Sequence, residues 1–476
     1  TATGGETTTF AWHAANNTSG SPARMLASVT DPRGRSTAYE YDAVGRLLKT
    51  TYPDGSFRQV TLDSYGNKTT EFDGSSLEQW TYDNYRRPLT HTDAAAGITY
   101  YDYGLNGNAC SCFGAGAPTL ITSPGGRKTR RYYDLKARLV QEIQGYLTAD
   151  AASTTQVRNV MGRVISSVDA DGYATSFTYD SMGRTLASTM DPSGLNLTTS
   201  RTYNAFGDTL TTTAPGARTT SMAYDTMSRP VTITDPLGTI TTVTYDLGGR
   251  RTAVTEASGS ALARTTGFGY DLLDRLTGTT YPDTTTTGQN YHPGGDPNIT
   301  TDQLGRPTTN DSALVTWTDS LNQSWTSFAR TTTDPAGFTT TTYGPPMAFT
   351  GGTRRIVSPG GRIAESFMDE LGRSTLIRSG LVTTASGLTA DVSDTVMTHD
   401  PDGMVLTSTV DPTGLNQTTT RTYDALGRTM TTKDPLNRTT TFTYDKRGNL
   451  TKTKLHDTRE HLATYCLLYT SPSPRD

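Results

Sequence analysis

The chain has 476 residues, more than one ordinary compact domain holds, yet 33% are hydrophobic, 18% are charged and the net charge is −4. That charge offers no basic surface for nucleic acid, and no run of about 18 apolar residues exists to span a membrane. Disordered chains lack aromatic residues and carry high net charge, whereas this one has 25 Tyr, 12 Phe and 4 Trp. Rich in Thr and Tyr and poor in Lys and Glu, the composition favours strands over helices. A wall made of one twisted sheet, with little double-layer core, accounts for the modest apolar content.

Residues 1–30 are Gly-, Thr- and Asn-rich and weakly patterned, with no initiating Met and no signal-peptide pattern. They read as the ragged end of an upstream repeat, with the true N-terminus missing. From Asp31-Pro32-Arg33-Gly34 a unit recurs, with roughly 20–25 residues between successive Asp positions, the mark of a repeat architecture. The best copies are Tyr41-Asp42…Gly45-Arg46, Tyr179-Asp180…Gly183-Arg184, Tyr245-Asp246…Gly249-Arg250 and Tyr423-Asp424…Gly427-Arg428. Tyr444-Asp445…Gly448-Asn449 is slightly altered. Degenerate copies stand at Asp63, Asp83, Asp134, Asn204, Asp225 and Asp369.

The physical chemistry of one unit is direct. Large residues alternate before the Asp, as in Phe177 with Tyr179 and Val243 with Tyr245, so both share one strand face while Thr178 and Thr244 take the other. Asp opens a tight turn, its carboxylate accepting from a backbone N–H two residues on, and Gly three residues later takes positive φ. Arg starts the return strand and can pair with the Asp across the turn. A second turn, Asp-Pro-x-Gly or Pro-Asp-Gly, closes the unit at positions such as 52–55, 191–194, 235–238, 334–337 and 411–414. Two strands of about 5–8 residues fill each period. An isolated hairpin is marginal in water, so units must pair with their neighbours. The expected fold is all-β: a continuous antiparallel sheet that coils as it grows and leaves unpaired edges prone to association.

A longer repeat overlies the short one. Residues 123–127 recur as 358–362, 147–150 as 388–391 and 191–196 as 411–416, with the offset shrinking by one unit along the series. This reads as duplication of a block, 123–196 related to 358–416, with gain or loss of one unit. Two stretches depart from the pattern: a small-residue loop at 106–118 and a polar Thr/Gly/Pro-rich connector at 284–298. The repeat region is thus 31–455. Residues 466–476, CLLYTSPSPRD, match the conceptual translation of a sequencing adapter and read as a scar that is not native.

The Y-D-x-x-G-R-L unit resembles the YD-repeat, or Rhs-repeat, family over roughly residues 31–450. The resemblance implies a large secreted or surface protein whose repeats form a hollow β-shell, commonly enclosing a toxic C-terminal domain in bacteria, with related repeats in teneurin-type adhesion receptors. Bacterial members commonly close the shell at a self-cleaving P-x-x-x-x-D-P-x-G-L segment. Asp191–Leu195 and Asp411–Leu415 match its second half, but Leu186 and Leu406 stand where its Pro belongs, so no cleavage residue carries over.

The residues argue against other chemistry. Asp recurs with the turn, which explains it better than paired carboxylates for glycoside hydrolysis. The six His (13, 91, 292, 399, 456 and 461) form no H-x-x-x-H pair. Cys110-Ser111-Cys112 offers two of the roughly four ligands that zinc needs and reads as free thiols or a redox-sensitive pair. Gly114-Ala115-Gly116 does not complete a G-x-G-x-x-G. Exposed Tyr and Trp can stack on sugars, though strand packing explains most of them. No catalytic, cofactor or metal residue is assigned. The expected function is a non-catalytic wall segment of a secreted or surface bacterial protein, whose partners are the remainder of its own chain and an enclosed toxin or effector. The alternative is an extracellular adhesion or carbohydrate-binding protein, whose partners are glycans or another cell surface.

Overall fold

The computed structural model describes residues 7–14, 20–104, 117–384 and 387–465. Cys110, Cys112, most of the 106–118 loop and all of 466–476 lie outside the described residues. Among the described residues thirty-nine strands run from β1 (Thr9–Trp12) to β39 (Glu460–Leu462). Each pairs antiparallel with the next in one uninterrupted meander. The stretch 284–298 is not a connector: it holds the ordinary strand β25 (Thr286–Tyr291) and the start of β26 (Pro297–Thr301). Its Thr residues are good strand formers, and its Pro residues sit in turns or at a strand's first position, where no ladder N–H is required.

A single layer leaves both faces wet. The chain exposes 27643 Å², where a compact monomer of this mass exposes about 17,000 Å². Among the described residues eight hydrophobic side chains are buried, and six of them (Trp317, Ala329, Ala348, Ile363, Phe367 and Leu381) fall between 317 and 381. There the strands outgrow the expected length: β27 (Pro307–Thr318) and β28 (Ser324–Thr333) form a long hairpin, as do β32 (Ser374–Thr384) and β33 (Gly387–His399). The tip of the β27–β28 hairpin folds over β30 (Gly352–Val357), β31 (Arg362–Met368) and β32 and makes a local second layer. Glu365, 1% exposed, accepts from Ser320 N and from the Arg355 Nε at 2.8 Å, while Arg355 also donates to Thr318 O. Elsewhere one face carries cross-strand Thr hydroxyl pairs, such as Thr202–Thr211, Thr244–Thr252 and Thr422–Thr431. Each such pair is worth about 0.2–1 kcal/mol.

A meander reverses at every turn, so alternate turns fall on opposite rims. The Tyr-Asp turns follow odd-numbered strands and line one rim; the Asp-Pro-x-Gly turns follow even-numbered strands and line the other. A register shift at the last residue of the Tyr-Asp strands adds twist. Tyr179 faces Thr185 while Thr178 faces Ala187, leaving Leu186 as the extra residue.

The ribbon coils until its Pro rim meets its own Tyr-Asp rim. Arg33 reaches Ser312 Oγ at 3.0 Å and Asp296 at 3.6 Å. Asp54 accepts from Met347 N at 2.5 Å, and Arg58 donates to Ala348 O at 3.0 Å. Gly125 N donates to Asp402, and Arg127 pairs with Asp400 at 2.9 Å and with Asp402. Asp171 accepts from Lys446 N at 3.0 Å and from Arg447 Nε at 2.7 Å. The turn after β10 (Leu120–Thr122) meets the turn after β33, and the turn after β14 (Val164–Val168) meets the turn after β37 (Thr439–Tyr444). Both steps span 23 strands. The odd step is required, because only an odd step sets one rim against the other.

Replacing Arg127 and Arg447 together by Ala removes two of these docking points without touching the strand ladder. Small-angle X-ray scattering should report a larger maximum dimension, with an unchanged strand-dominated far-UV circular dichroism spectrum. An unchanged scattering profile would show that the rims do not hold the coil.

Candidate functional site: the joints between repeats

Each sequence-identified turn is built the same way. Asp42 Oδ1 accepts from Val44 N at 3.0 Å and Arg46 N at 2.9 Å, and Oδ2 accepts from Arg46 Nε at 2.5 Å. Gly45 N closes the turn onto Asp42 O, with φ at 88°. Asp180–Arg184, Asp246–Arg250 and Asp424–Arg428 repeat the ion pair at 2.6 Å each, around Gly183, Gly249 and Gly427 in the left-handed region. In the altered copy Asn449 donates to Asp445 at 2.7 Å in place of Arg, around Gly448.

The Arg does more than start a strand. Its other arm leaves the turn: Arg184 Nη1 donates to Asn204 O at 3.0 Å, Arg250 Nη1 to Asp271 O at 3.0 Å and Arg428 Nη1 to Asp445 O at 2.6 Å. The same guanidinium lies over the ring of the next repeat's Tyr: Arg184 on Tyr203 at 4.7 Å, Arg229 on Tyr245 at 4.6 Å and Arg428 on Tyr444 at 4.9 Å. The Tyr hydroxyl reaches back to the previous repeat. Tyr179 donates to Val164 O at 2.6 Å, Tyr245 to Pro230 O at 3.0 Å, Tyr423 to Val405 O at 2.7 Å and Tyr444 to Thr429 O at 2.9 Å. Tyr41 instead meets the His13 ring edge-on at 6.0 Å. The motif is therefore an inter-repeat joint. Asp and Gly build the turn, Arg binds it to the next turn, and Tyr binds back. The recurring Arg-to-Tyr spacing between neighbouring copies was the available clue.

The second turns divide into two kinds. Asp235-Pro236-Leu237-Gly238 is tight, with Gly238 at φ 84° and Asp235 capping Leu237 N and Thr239 N. At 191–196 and 411–416 the Gly is not the left-handed residue. Asp191 (48°), Asn196 (51°), Asp411 (50°) and Asn416 (49°) take that role. The added Leu-Asn lengthens the loop, so Asn, which tolerates this region, closes it, and Asp191 and Asp411 wrap back to Leu195 N and Leu415 N.

Side chains weighed for chemistry are engaged in packing. Trp80 is stacked on His91 at 4.6 Å with Lys68 over it at 3.7 Å, and Arg86 covers Tyr65 at 4.7 Å. His292 bonds Asn310 O, and His91 bonds Glu78. A cleft of about 300 Å³ opens where the coils meet, lined by Ser75, Asp319, Trp325, Phe349 and Phe367. Asp319 there accepts from Leu321 N, Gln323 N, Trp325 Nε1 and Thr353 Oγ1. Burial works to raise its pKa, yet these bonds hold it below the usual value.

The Arg138 guanidinium holds the Asp134 carboxyl down at about 2. The Arg250 N–H, then its guanidinium, lowers Asp246, and the Arg46 N–H leads the same effect at Asp42. Such carboxylates take up protons less readily folded than unfolded. Their contribution is complete above about pH 4 and is lost as pH falls toward about 2. Unfolding midpoints in urea should therefore be flat from neutral pH down to about pH 5 and collapse below about pH 4; a protein equally stable at pH 3 would contradict the joint. Two glycine substitutions separate turn from joint. Gly172→Ala meets open space at φ 90° and should cost about 1–2 kcal/mol of left-handed strain. Gly183→Ala carries the same strain at φ 92°, but its Cβ also strikes the Arg163 guanidinium that donates to Asp180 O. It should cost about 1 kcal/mol more in the same urea titration.

The RHS repeat family signature matches residues 25–56, 162–201, 203–240, 228–261 and 423–459. No curated protein sequence matches the chain. Among solved structures, the crystal structure of TcdB2-TccC3-TEV aligns with 92% of this chain at 13% identity and a TM-score of 0.40. A Photorhabdus luminescens Tc holotoxin pore aligns with 88% at 12% identity and 0.30, and TcdB2-TccC3 with 95% at 11% and 0.31. The chain spans 28%, 28% and 34% of the length of these structures respectively. Each matched stretch of sequence contains a turn and return strand of the kind dissected above, so the chain carries RHS repeats over these residues.

Proposed function

We propose that this chain is a non-catalytic wall segment of a larger, secreted bacterial RHS-repeat protein, and that the wall encloses or carries a toxin or effector domain. The rim-to-rim seam carries this reading. A ribbon that returns to itself every 23 strands surrounds an axis. At about 4.8 Å per strand the circuit is about 110 Å round and about 35 Å across between backbones, a wall around a space. The repeat motif spends its Asp, Arg and Tyr side chains on holding that wall together, as a container requires.

The long repeat fits growth of such a wall by whole units. The turns at 123–127 and 358–362 lie on the Pro rim, as do those at 191–196 and 411–416, with six strands between the first and third of these and four between the second and fourth. The middle pair differs locally, since 147–150 lies in a loop and 388–391 in β33. Loss or gain of two strands keeps every later turn on its own rim.

The test is the sequence of the intact gene, read without assembly, followed by expression of whatever domain the repeats precede. A closure segment leading into a short domain that arrests growth when expressed alone is the expected result. A wall anchor in its place would overturn the reading in favour of adhesion.

A further inference from the structure

The seam uses part of each rim. On the Pro rim the turns around 33, 54, 74, 125, 145 and 171 are docked; on the Tyr-Asp rim, those around 296, 347, 402, 426 and 446. Most docked tips are polar and paired, or covered, the exceptions being Leu147 at 76% and Met347 at 52% exposed. Asp402 and Arg447 are in ion pairs, Ala348 is fully buried, and Leu426 packs so closely on Gly145 that a Cβ there would lie 3.2 Å from its Cδ2. The undocked tips are different. On the Tyr-Asp rim of the first coil, Tyr85, Met182, Phe206, Met227 and Leu247 all project into solvent, Tyr85 at 80% and Phe206 at 89% exposed. They occupy the turn position, one or two residues after Asp or Asn, that holds Leu426 in the docked coil. On the undocked Pro rim, Leu237, Leu262 and Leu304 are likewise exposed. Successive turns on one rim are two strands apart, about 10 Å, so the two rims share one spacing, although the apolar tips do not fill it: Leu262 and Leu304 are four strands apart, and Met182 follows Tyr85 after eight. Met182, Phe206, Met227 and Leu247 stand on four successive turns, and clustered exposed apolar side chains of this kind mark contact surfaces.

We propose that these rows bind each other between copies: the free Tyr-Asp rim of one copy seats on the free Pro rim of a second, continuing the geometry already present in the seam. The contact is heterologous, so each copy keeps one open rim and assembly propagates head to tail. It is distinct from pairing through the open ladder edges of β1 and β39.

Sedimentation velocity over a wide concentration range tests this with the full chain. Wild type should associate progressively. Met182→Ser/Phe206→Ser on one rim, and Leu237→Ser/Leu262→Ser on the other, should each weaken association by about tenfold or more, with far-UV circular dichroism unchanged. An equimolar mixture of the two variants should form a dimer that grows no further, since only one rim of each is intact. A wild type that stays monomeric overturns the proposal. So does association that both variants leave intact, which would place it at the strand edges, and so does a mixture that forms no dimer.

Discussion

The guanidinium that leaves each Tyr-Asp turn for the next is the interaction on which this structure depends. A one-layer sheet has almost no interior, so hydrophobic burial cannot hold neighbouring repeats at a fixed angle. Hydrogen bonds of the ladder fix spacing but permit twist and slip. The Arg adds a second tie at the rim, bonded at once to its own Asp, to the carbonyl of the next turn and to the face of the next Tyr. The Tyr hydroxyl returns the tie one repeat back. Charge-assisted bonds of this kind are among the stronger polar contacts, and here they recur along most of the chain.

Coiling follows from repetition. Twist, added joint by joint over 23 strands, brings the Pro rim around to the Tyr-Asp rim. The contacts made there reuse turn chemistry: Asp54 caps Ser56 N with one oxygen and takes Met347 N with the other. Where the circuit meets the long β27–β28 hairpin, the tip folds onto the sheet and buries Glu365 against Arg355. Removing one partner of such a buried pair is costly, and among the described residues this is the one region with a core of the ordinary kind. A wall needs such a stiff patch far less than it needs uniform joints.

The turns were legible because their chemistry is local. An Asp that caps backbone N–H groups of its own turn, and a Gly that takes positive φ, act within five residues: Asp42 caps the N–H two residues on and the one four on, and Asp180 and Asp246 cap the one four on. The pairing of Arg with Asp across the turn was readable for the same reason. The second arm of Arg184 was not, because its acceptor, Asn204 O, lies 20 residues on, and its position depends on register. The Asp-Pro turns looked alike, but two residues more at Leu195-Asn196 moved the left-handed position from Gly194 to Asn196. The stretch 284–298 looked like a connector because its composition is polar, which in a sheet wet on both faces is no obstacle to a strand.

Alternation of Tyr with Thr, and turn residues at a short period, determined by themselves that the chain is one antiparallel meander of repeats, since each feature acts between residues close in sequence. Which rims meet was decided by the tertiary structure alone. Arg127 and Asp402 are 275 residues apart, and nothing in either turn specifies the other until small twists have accumulated around a whole circuit. The same accumulation decides which apolar tips are covered, as at Leu426, and which, as at Phe206, are left facing water.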